Sequence, residues 1–377
     1  AYEIYMGDWS SDLCSSDLVL MAIDHVRVYS GLPAGGHEPG IFFTRWITHF
    51  CAPAFVFLAG TSAFLSGQKQ GNKDKLARFL ITRGLLLVVL ELTLIRFFWT
   101  FNLNFSNFML AGVIWMIGWC MVLLGAMVRL SARTIGIAGV VIICAQQLFG
   151  LLPEIFPPVV QNAIGPVYRF IYPANVPEPS GISILYVIVP WIGVMMAGYG
   201  FGSILLMEPA KSRRTCWWIG LSAIVIFLAW GSVVATSSDS EQPFIFRLLN
   251  QRKYPASVLY LLMTLGPTIA LVPLAERARN GITRFLTVIG KVPFFYYLLH
   301  ILLIHLSALL VVLIKNGKIF PEWYATAPYA GVPPEQQWSL GMLYFVFVID
   351  VFILYLLCRW YAKYKTDHPE KKWLGYI

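Results

Sequence analysis

Long apolar runs alternate with short polar or Gly/Pro-rich stretches along almost the whole chain. Nine runs hold roughly the 20 mostly apolar residues that an α-helix needs to cross a bilayer. A tenth run, from Leu18 to Tyr29, is apolar but too short to span alone. The pattern predicts an all-α fold of ten membrane helices. The nine full-length runs lie at about 43–66, 79–98, 108–128, 134–151, 182–206, 215–234, 256–275, 292–314 and 339–361.

Composition supports this interpretation. The chain has 377 residues, of which 58% are hydrophobic and 12% are charged, and its mean hydropathy is +0.68. Soluble domains carry about 25% charged residues, so the composition excludes a soluble domain and a disordered chain. The net charge of +9 would suit nucleic acid, but the basic residues form no stripe or zinc-finger spacing. We therefore expect a lipid bilayer and no nucleic acid as partner.

The basic residues also predict an orientation. Of the 28 lysines and arginines, 18 fall in one alternate set of loops and only 6 in the other set. Cytoplasmic loops of membrane proteins carry the excess of Lys and Arg. Both termini are therefore predicted to be cytoplasmic, in a protein of the bacterial inner membrane. The outer loop 152–181 is dense in proline, which disfavours a helix and predicts an extended cover over the outer mouth, with an ordinary linker as the alternative.

The first seventeen residues differ from the rest. Ser10 to Leu18 reads SSDLCSSDL, a direct repeat, and residues 1–17 hold four acidic groups and no basic one. A secretory signal would begin with a positively charged region. The segment resembles translated adapter sequence. We expect residues 1–17 to be non-native and residues 18–377 to form a single transmembrane domain.

Ionisable residues within apolar helices cost at least about 2.5–3.5 kcal/mol each, so they normally face a cavity or a partner. Six of them fall near the outer ends of the first three predicted helices. Arg45 and His49 share a helix face at i,i+4. A histidine beside a carboxylate and an arginine supplies a base, an orienting group and an anion-stabilising group. Buried ion pairs that hold the helices together are the alternative. The six are Asp24, His25, Arg27, Arg45, His49 and Arg96.

Four further ionisable residues lie deeper. Glu91, His305 and Asp350 are expected near mid-depth, with His300 on their cytoplasmic side. His300 and His305 point about 140° apart on a helix, so a shared metal ion is not expected. One hydrogen-bonded core histidine and one cavity-lining histidine is the favoured interpretation of this pair.

Several common motifs are missing from the sequence. It contains no GxxxxGK[ST], HExxH, GxSxG or CxxC. Their absence argues against an ATP-driven pump, a zinc protease and a serine hydrolase. No metal site is predicted.

Five segments carry a resemblance to a known family. They are LVLMAIDHVRVYSG (18–31), FFTRWITHFCAPAFVFLAGTSAFL (42–65), KYPASVLYLLMTLGP (253–267), GKVPFFYYLLHILLIH (290–305) and CRWYAKYK (358–365). Together they resemble the bacterial branch of the heparan-α-glucosaminide N-acetyltransferase catalytic-domain family. The resemblance implies a membrane acetyltransferase that takes acetyl from cytoplasmic acetyl-CoA, as co-substrate, to an amino sugar or glycan on the outer side. It also implies an active-site histidine and a homodimer.

The resemblance leaves three candidates for that histidine. In the animal enzyme an asparagine late in the first helix precedes the catalytic histidine. Aligned on the Leu-Met pair, His25 takes the asparagine's place and His37, in the loop GLPAGGHEPG, lies nearest the histidine's place. His25 is preferred because it lies within the helix beside Asp24. His37 and His49 stay as rivals. The family also usually opens with an acidic-x-x-Arg-Gly stretch, which the repeat replaces here.

The sequence thus predicts an acetyltransferase in which His25, oriented by Asp24, accepts the acceptor's proton or carries the acetyl group. Arg45 with His49 would stabilise the oxyanion. Basic side chains of the cytoplasmic loops would neutralise the phosphates of acetyl-CoA. A transporter with the same polar cluster as its substrate or proton site is the rival hypothesis, and a structural scaffold is the third. The predicted phosphate-binding residues are Lys73, Lys75, Arg78, Arg83 and Lys291.

Overall fold

The computed structural model describes residues 2–33, 38–106, 108–177, 179–275, 280–371 and 374, with side chains from residue 16 onward. In these residues the chain is mostly helical. The α-helices in chain order are α1 (Tyr2–Ser30), α2 (Pro39–Thr48), α3 (Cys51–Gln70), α4 (Lys73–Leu90), α5 (Arg96–Thr100), α6 (Val113–Met127), α7 (Ala132–Ala145), α8 (Leu148–Leu151), α9 (Pro158–Tyr168), α10 (Trp191–Leu205), α11 (Pro209–Thr236), α12 (Phe244–Leu249), α13 (Val258–Ala275), α14 (Gly281–Gly290), α15 (Pro293–Asn316) and α16 (Leu340–Asp367).

Short elements of other kinds interrupt the helices. A π-helical turn, Glu91–Ile95, joins α4 to α5. Two three-residue strands, β1 (Met109–Ala111) and β2 (Ile182–Ile184), pair in parallel with Leu110 opposite Ser183. Three 3₁₀ turns lie in the loops, at Leu152–Ile155, Pro321–Tyr324 and Pro334–Gln336.

Five helical stretches of the described chain are long and apolar enough to cross a membrane. A sixth qualifies if α7 and the bent segment Leu148–Ile155, which meet at 64°, count as one span. Helices α6, α10 and α14 are apolar but shorter. Several candidate spans are therefore confirmed, and ten spans stay a prediction. The five stretches are Pro39–Gln70, Pro209–Thr236, Val258–Ala275, Pro293–Asn316 and Leu340–Asp367.

The predicted extended cover at 152–181 is wrong in its central part, where α9 is a helix of 11 residues. Pro157 precedes this helix and Pro158 is its first residue. Proline is tolerated in the first helical turn, since the amide that it lacks would have no intrahelical partner there. Proline density marked the start of a helix rather than its absence.

The chain forms two compact units. The terminal unit comprises Ala1–Cys51, Leu94–Leu103 and Leu274–Ile377, and the central unit comprises Ala52–Thr93 and Asn104–Pro273. In the terminal unit, α1 packs against α2, α14, α15 and α16, and α15 also packs against α5 and α16. The first helix is therefore surrounded by the last helices of the chain.

In the central unit, α4 packs along α6, and α7 packs along α10. Glycines allow the first of these pairs to approach closely. A Cβ atom added at Gly84 would lie 2.5 Å from the carbonyl oxygen of Gly118, and one added at Gly118 would lie 2.6 Å from the carbonyl oxygen of Gly84. The backbones of α4 and α6 therefore meet with no room for a side chain between them.

Candidate active site

Helices α1 and α15 lie side by side in the same direction, and a histidine from each meets at their contact. His25 Nδ1 and His300 Nε2 are 2.7 Å apart, within hydrogen-bond distance. The two rings lie edge to edge, with centroids 4.8 Å apart and planes inclined by 17°. One turn further along, Tyr29 of α1 packs on His305 of α15, with ring centroids 4.9 Å apart. Two successive contacts fix the register of the helices.

The two histidines differ in exposure. His300 is fully buried, and its Nδ1 lies 3.2 Å from the carbonyl oxygen of Tyr296, one helical turn earlier. His25 is only partly buried. The edge of the Trp99 ring, from α5, packs on His25 at a centroid distance of 4.7 Å. His300 therefore contacts His25 from the buried side, and His25 is the more exposed residue of the pair.

This pairing corrects the predicted depths. The sequence placed His25 near the outer end of its helix and His300 on the cytoplasmic side of mid-depth, but side chains in contact share one depth. The reason is the unequal length of the helices beyond the contact. Helix α1 ends five residues after His25, whereas α15 continues for sixteen residues after His300. At about 1.5 Å per residue, His300 lies about 10 Å from the start of α15.

Asp24 and Arg27 form the ion pair that their i,i+3 spacing predicts. Arg27 Nη2 lies 2.9 Å from Asp24 Oδ1, and Arg27 Nε donates to the same oxygen. Arg27 Nη1 also donates to the carbonyl oxygen of Leu32, beyond the end of α1. The pair therefore fastens the end of α1 to the chain that follows it. Asp24 is adjacent in sequence to His25, and its role as the group that orients His25 stays a prediction.

Arg45 and His49 lie at the end of α2, which packs on α1. His49 is the C-cap residue of α2 and is 3% exposed, while Arg45 is half-buried in the last turn. The Thr48 hydroxyl donates to the Arg45 carbonyl oxygen. The third candidate histidine, His37, lies outside the described residues.

Aromatic rings surround His305. Phe101 stacks on it at a centroid distance of 3.8 Å, and Tyr324 packs edge-on at 5.4 Å. Phe101 holds the left-handed conformation at φ 45°, which costs a non-glycine residue about 1–3 kcal/mol. Burial raises the pKa of the Tyr324 phenol to about 12, so this phenol stays neutral and donates to the Tyr29 carbonyl oxygen.

The predicted phosphate-binding residues are mostly exposed, but one of them has another partner. Lys73 Nζ donates to the carbonyl oxygens of Arg129 and Leu130, which follow α6. Lys75 and Arg78 are exposed on the first turns of α4. Arg83 is half-buried, with its guanidinium 5.8 Å from the Phe79 ring centroid. Lys291 is exposed at the end of α14, in the terminal unit.

The two buried carboxylates of the deeper group lie in different units and have different hydrogen-bond partners. In the central unit, Glu91 accepts backbone hydrogen bonds from Gly112, Ile114 and Trp115 at the start of α6. In the terminal unit, Asp350 Oδ1 accepts from the Ser307 hydroxyl at 2.7 Å. Asp350 Oδ2 is buried without a hydrogen-bond partner among the described residues.

Sequence reasoning missed two neighbours of His25. His300 was favoured as an ordinary core or cavity histidine, and Trp99 was not among the candidate site residues. Pairs between distant helices have no spacing signal, and 275 residues separate His25 from His300. His300 and His305 contact different side chains, but both pack against α1, through His25 and Tyr29 respectively. No group of three metal-ligating side chains gathers anywhere in the described part of the chain, and the predicted absence of a metal is untested.

The family model described as heparan-alpha-glucosaminide N-acetyltransferase, catalytic, matches residues 16–235, more than half of the chain. The match includes His25, Arg45 and His49, while His300 lies beyond it. No curated protein matches the chain. The chain therefore belongs to the heparan-α-glucosaminide N-acetyltransferase catalytic-domain family, and it is an acetyl-CoA-dependent membrane acetyltransferase.

Proposed function

We propose that this protein moves acetyl from cytoplasmic acetyl-CoA to an amino sugar or glycan on the outer side of the bacterial inner membrane, with His25 as its catalytic residue. The pairing of His25 with His300 carries the proposal. His25 lies in the family-matched part of the chain, is only partly buried and has a second imidazole against one ring nitrogen. A histidine ring that a hydrogen bond keeps in one orientation can accept and donate a proton near neutral pH.

The chemistry needs one proton acceptor and one proton donor. The neutral amine of the acceptor forms a C–N bond to the acetyl carbonyl carbon, and the thioester C–S bond breaks. His25 accepts the amine proton and returns it to the leaving CoA thiolate, so the products are an N-acetyl amide and CoA thiol. In a two-step route, a ring nitrogen of His25 first bonds to the acetyl carbon while the C–S bond breaks and CoA thiolate leaves. The acceptor amine then displaces His25 from the acetyl carbon, and its proton neutralises the thiolate.

The neighbouring polar groups supply the remaining functions. Arg45, half-buried at the end of α2, would stabilise the oxyanion of the tetrahedral intermediate together with His49. Asp24, partly exposed next to His25 and held by Arg27, would bias the orientation of the His25 ring. His37 is the rival catalytic histidine that the family alignment favours.

The sidedness of the reaction rests on the loops. The strong bias of Lys and Arg to alternate loops favours ten membrane helices with both termini inside. Lys75, Arg78 and Lys291 are exposed on the predicted cytoplasmic side, where they would attract the phosphates of acetyl-CoA. Lys73 and Arg83 complete the proposed phosphate-binding set. The resemblance also favours the bacterial branch of the family and a homodimer.

We also propose that residues 1–17 are non-native and stand in place of the native start of a single transmembrane acetyltransferase domain, residues 18–377. The family match begins at residue 16, close to the end of that segment. Replacing residues 1–17 with a start of the usual family pattern is expected to preserve or raise activity. A loss of activity on replacement would contradict this part of the proposal.

Sidedness is tested in sealed proteoliposomes. With acetyl-CoA outside, glucosamine trapped inside is expected to support release of free CoA, because membrane-impermeant acetyl-CoA and acceptor then lie on opposite faces. Glucosamine supplied only outside is expected to give no release above background. Equal release in both arrangements would overturn the proposed transfer across the membrane. Glucosamine uptake without CoA release would favour the transporter hypothesis.

A further inference from the structure

His300 has a different neighbour at each of its two ring nitrogens. Nδ1 lies 3.2 Å from the Tyr296 carbonyl oxygen, and Nε2 lies 2.7 Å from His25 Nδ1. A carbonyl oxygen can only accept a hydrogen bond, so the proton of a neutral His300 must be on Nδ1. Its Nε2 is then unprotonated and can only accept.

The protonation of His25 follows from this constraint. Because His300 Nε2 is an acceptor, the 2.7 Å contact needs the proton on His25 Nδ1. The reverse arrangement would leave His300 Nδ1 without a proton, facing a carbonyl oxygen that also has none. A doubly protonated His300 would place a full charge on a ring with no exposure, which is costly in the absence of a compensating charge. One arrangement satisfies both contacts.

We propose that His300 is the positioning residue of this reaction: through the chain Tyr296 carbonyl–His300–His25 it holds His25 as the Nδ1–H tautomer, so that Nε2 of His25 is the nitrogen that reacts. This inference rests on the proposed function of His25. A neutral histidine side chain free in water favours the opposite tautomer, with its proton on Nε2, so the pairing selects a form that the free side chain populates less.

In this tautomer the lone pair of the catalytic base is on a single nitrogen, Nε2 of His25. When Nε2 takes the amine proton, the His25 ring becomes an imidazolium, and its Nδ1–H bond to His300 becomes charge-assisted and stronger. The bond therefore stabilises the protonated intermediate more than the resting enzyme, as differential stabilisation of the transition state requires. When the proton passes to the CoA thiolate, the pair returns to its neutral state.

Two variants of His300 separate positioning from simple packing. His300→Leu keeps an apolar side chain of similar reach but removes the acceptor. His300→Gln places an amide oxygen near the former Nε2 and can still accept from His25 Nδ1. We expect His300→Leu to lower kcat by about 100-fold with KM for acetyl-CoA changed less than about threefold, as for partners that orient a reacting histidine. His300→Gln is expected to recover kcat to within about tenfold of wild type.

The tautomer itself has a direct spectroscopic signature. The chain has six histidines, so ring-¹⁵N labelling of histidine and solid-state NMR of proteoliposomes give few signals, which single variants assign. The His25 ring is expected to be protonated on Nδ1 and unprotonated on Nε2 in wild type and in His300→Gln. In His300→Leu its proton is expected to move largely to Nε2. His305→Gln, on the same helix, is the matched control and should leave the His25 signals unchanged.

The NMR measurement tests the role of His300, and consumption of acetyl-CoA by the wild-type protein tests the proposed function. A His25 ring protonated on Nε2 in wild type, or unchanged in His300→Leu, would overturn the role of His300 whether or not the protein transfers acetyl. Equal kcat in His300→Leu and wild type would also overturn it. Wild-type protein that consumes no acetyl-CoA would instead contradict the proposed function, and the NMR result would still decide the tautomer.

Discussion

The two units of the chain differ in the kinds of residue that they bury. Among the described residues, every buried Asp, Arg and His side chain lies in the terminal unit, and the central unit buries one carboxylate, Glu91. The central unit instead brings helix backbones together at glycines, as at Gly84 and Gly118. Buried ionisable groups are expensive in a membrane and mark functional sites, whereas glycine contacts stabilise helix packing. The contrast favours the terminal unit as the place of the proposed proton transfer, and we expect the central unit to contribute mainly to helix packing.

Glu91 is the one buried carboxylate that the central unit holds among the described residues, and its hydrogen bonds stabilise the fold. It accepts from three backbone N–H groups at the start of α6, and one of its oxygens occupies the space that a Cβ at Gly112 would need. Glu91→Leu leaves those N–H groups buried without acceptors, at about 1–3 kcal/mol each. We expect this variant to show the largest loss of thermal stability in detergent.

Glu91→Gln is the matched control, since its amide oxygen can still accept from the start of α6. We expect it to retain most of the thermal stability and a kcat close to wild type. A stable Glu91→Gln protein without acetyltransferase activity would contradict the structural role, and would extend the chemistry into the central unit.

The glycine contact between α4 and α6 gives the next largest effect. Gly118→Ala puts a Cβ 2.6 Å from a backbone carbonyl oxygen, so the helices must separate, at a cost of about 1–3 kcal/mol. A Cβ added at Gly281, in the first turn of α14, meets nothing within 4 Å. We expect Gly281→Ala to leave the melting temperature unchanged or to raise it slightly. Melting temperatures of the two variants measure the difference. Equal melting temperatures would contradict the close packing of α4 against α6.

The smallest effect concerns the exposed basic residues of α4. Replacing Lys75 and Arg78 together with Ala should raise KM for acetyl-CoA about fivefold and leave kcat unchanged, because an exposed ion pair contributes about 1 kcal/mol or less. Lys211 and Arg214, exposed at the start of α11, provide a control pair with the same loss of charge. If both pairs raise KM equally, general attraction rather than a binding site explains the effect.

Much of the helical architecture could be predicted from the sequence, because apolar runs of spanning length are a local signal. The Asp24–Arg27 pair was also within reach, since it depends on i,i+3 spacing in one helix. Breaks within these helices were not predicted from the sequence. The predicted helix 43–66 is divided between α2 and α3 at His49, and the helix at 134–151 bends after Ala145.

The candidate site was predicted only on the side of α1 and α2. His25, Arg45 and His49 were recognised because ionisable residues stand out in apolar helices. Partners on distant helices depend on how α1 and α15 pack, and spacing along one helix carries no information about that register. His300 therefore appeared as an ordinary buried histidine, although it lies 2.7 Å from the preferred catalytic residue.

The most direct test of the account is release of free CoA by purified protein given acetyl-CoA and glucosamine, for wild type and His25→Ala. We expect release by wild type and at least a 100-fold lower rate for folded His25→Ala, the loss typical of a missing general base. His368→Ala, at the far end of α16, controls for removal of a histidine and should keep the wild-type rate. Undiminished release by His25→Ala would contradict the central claim and would move the base to His37 or His49.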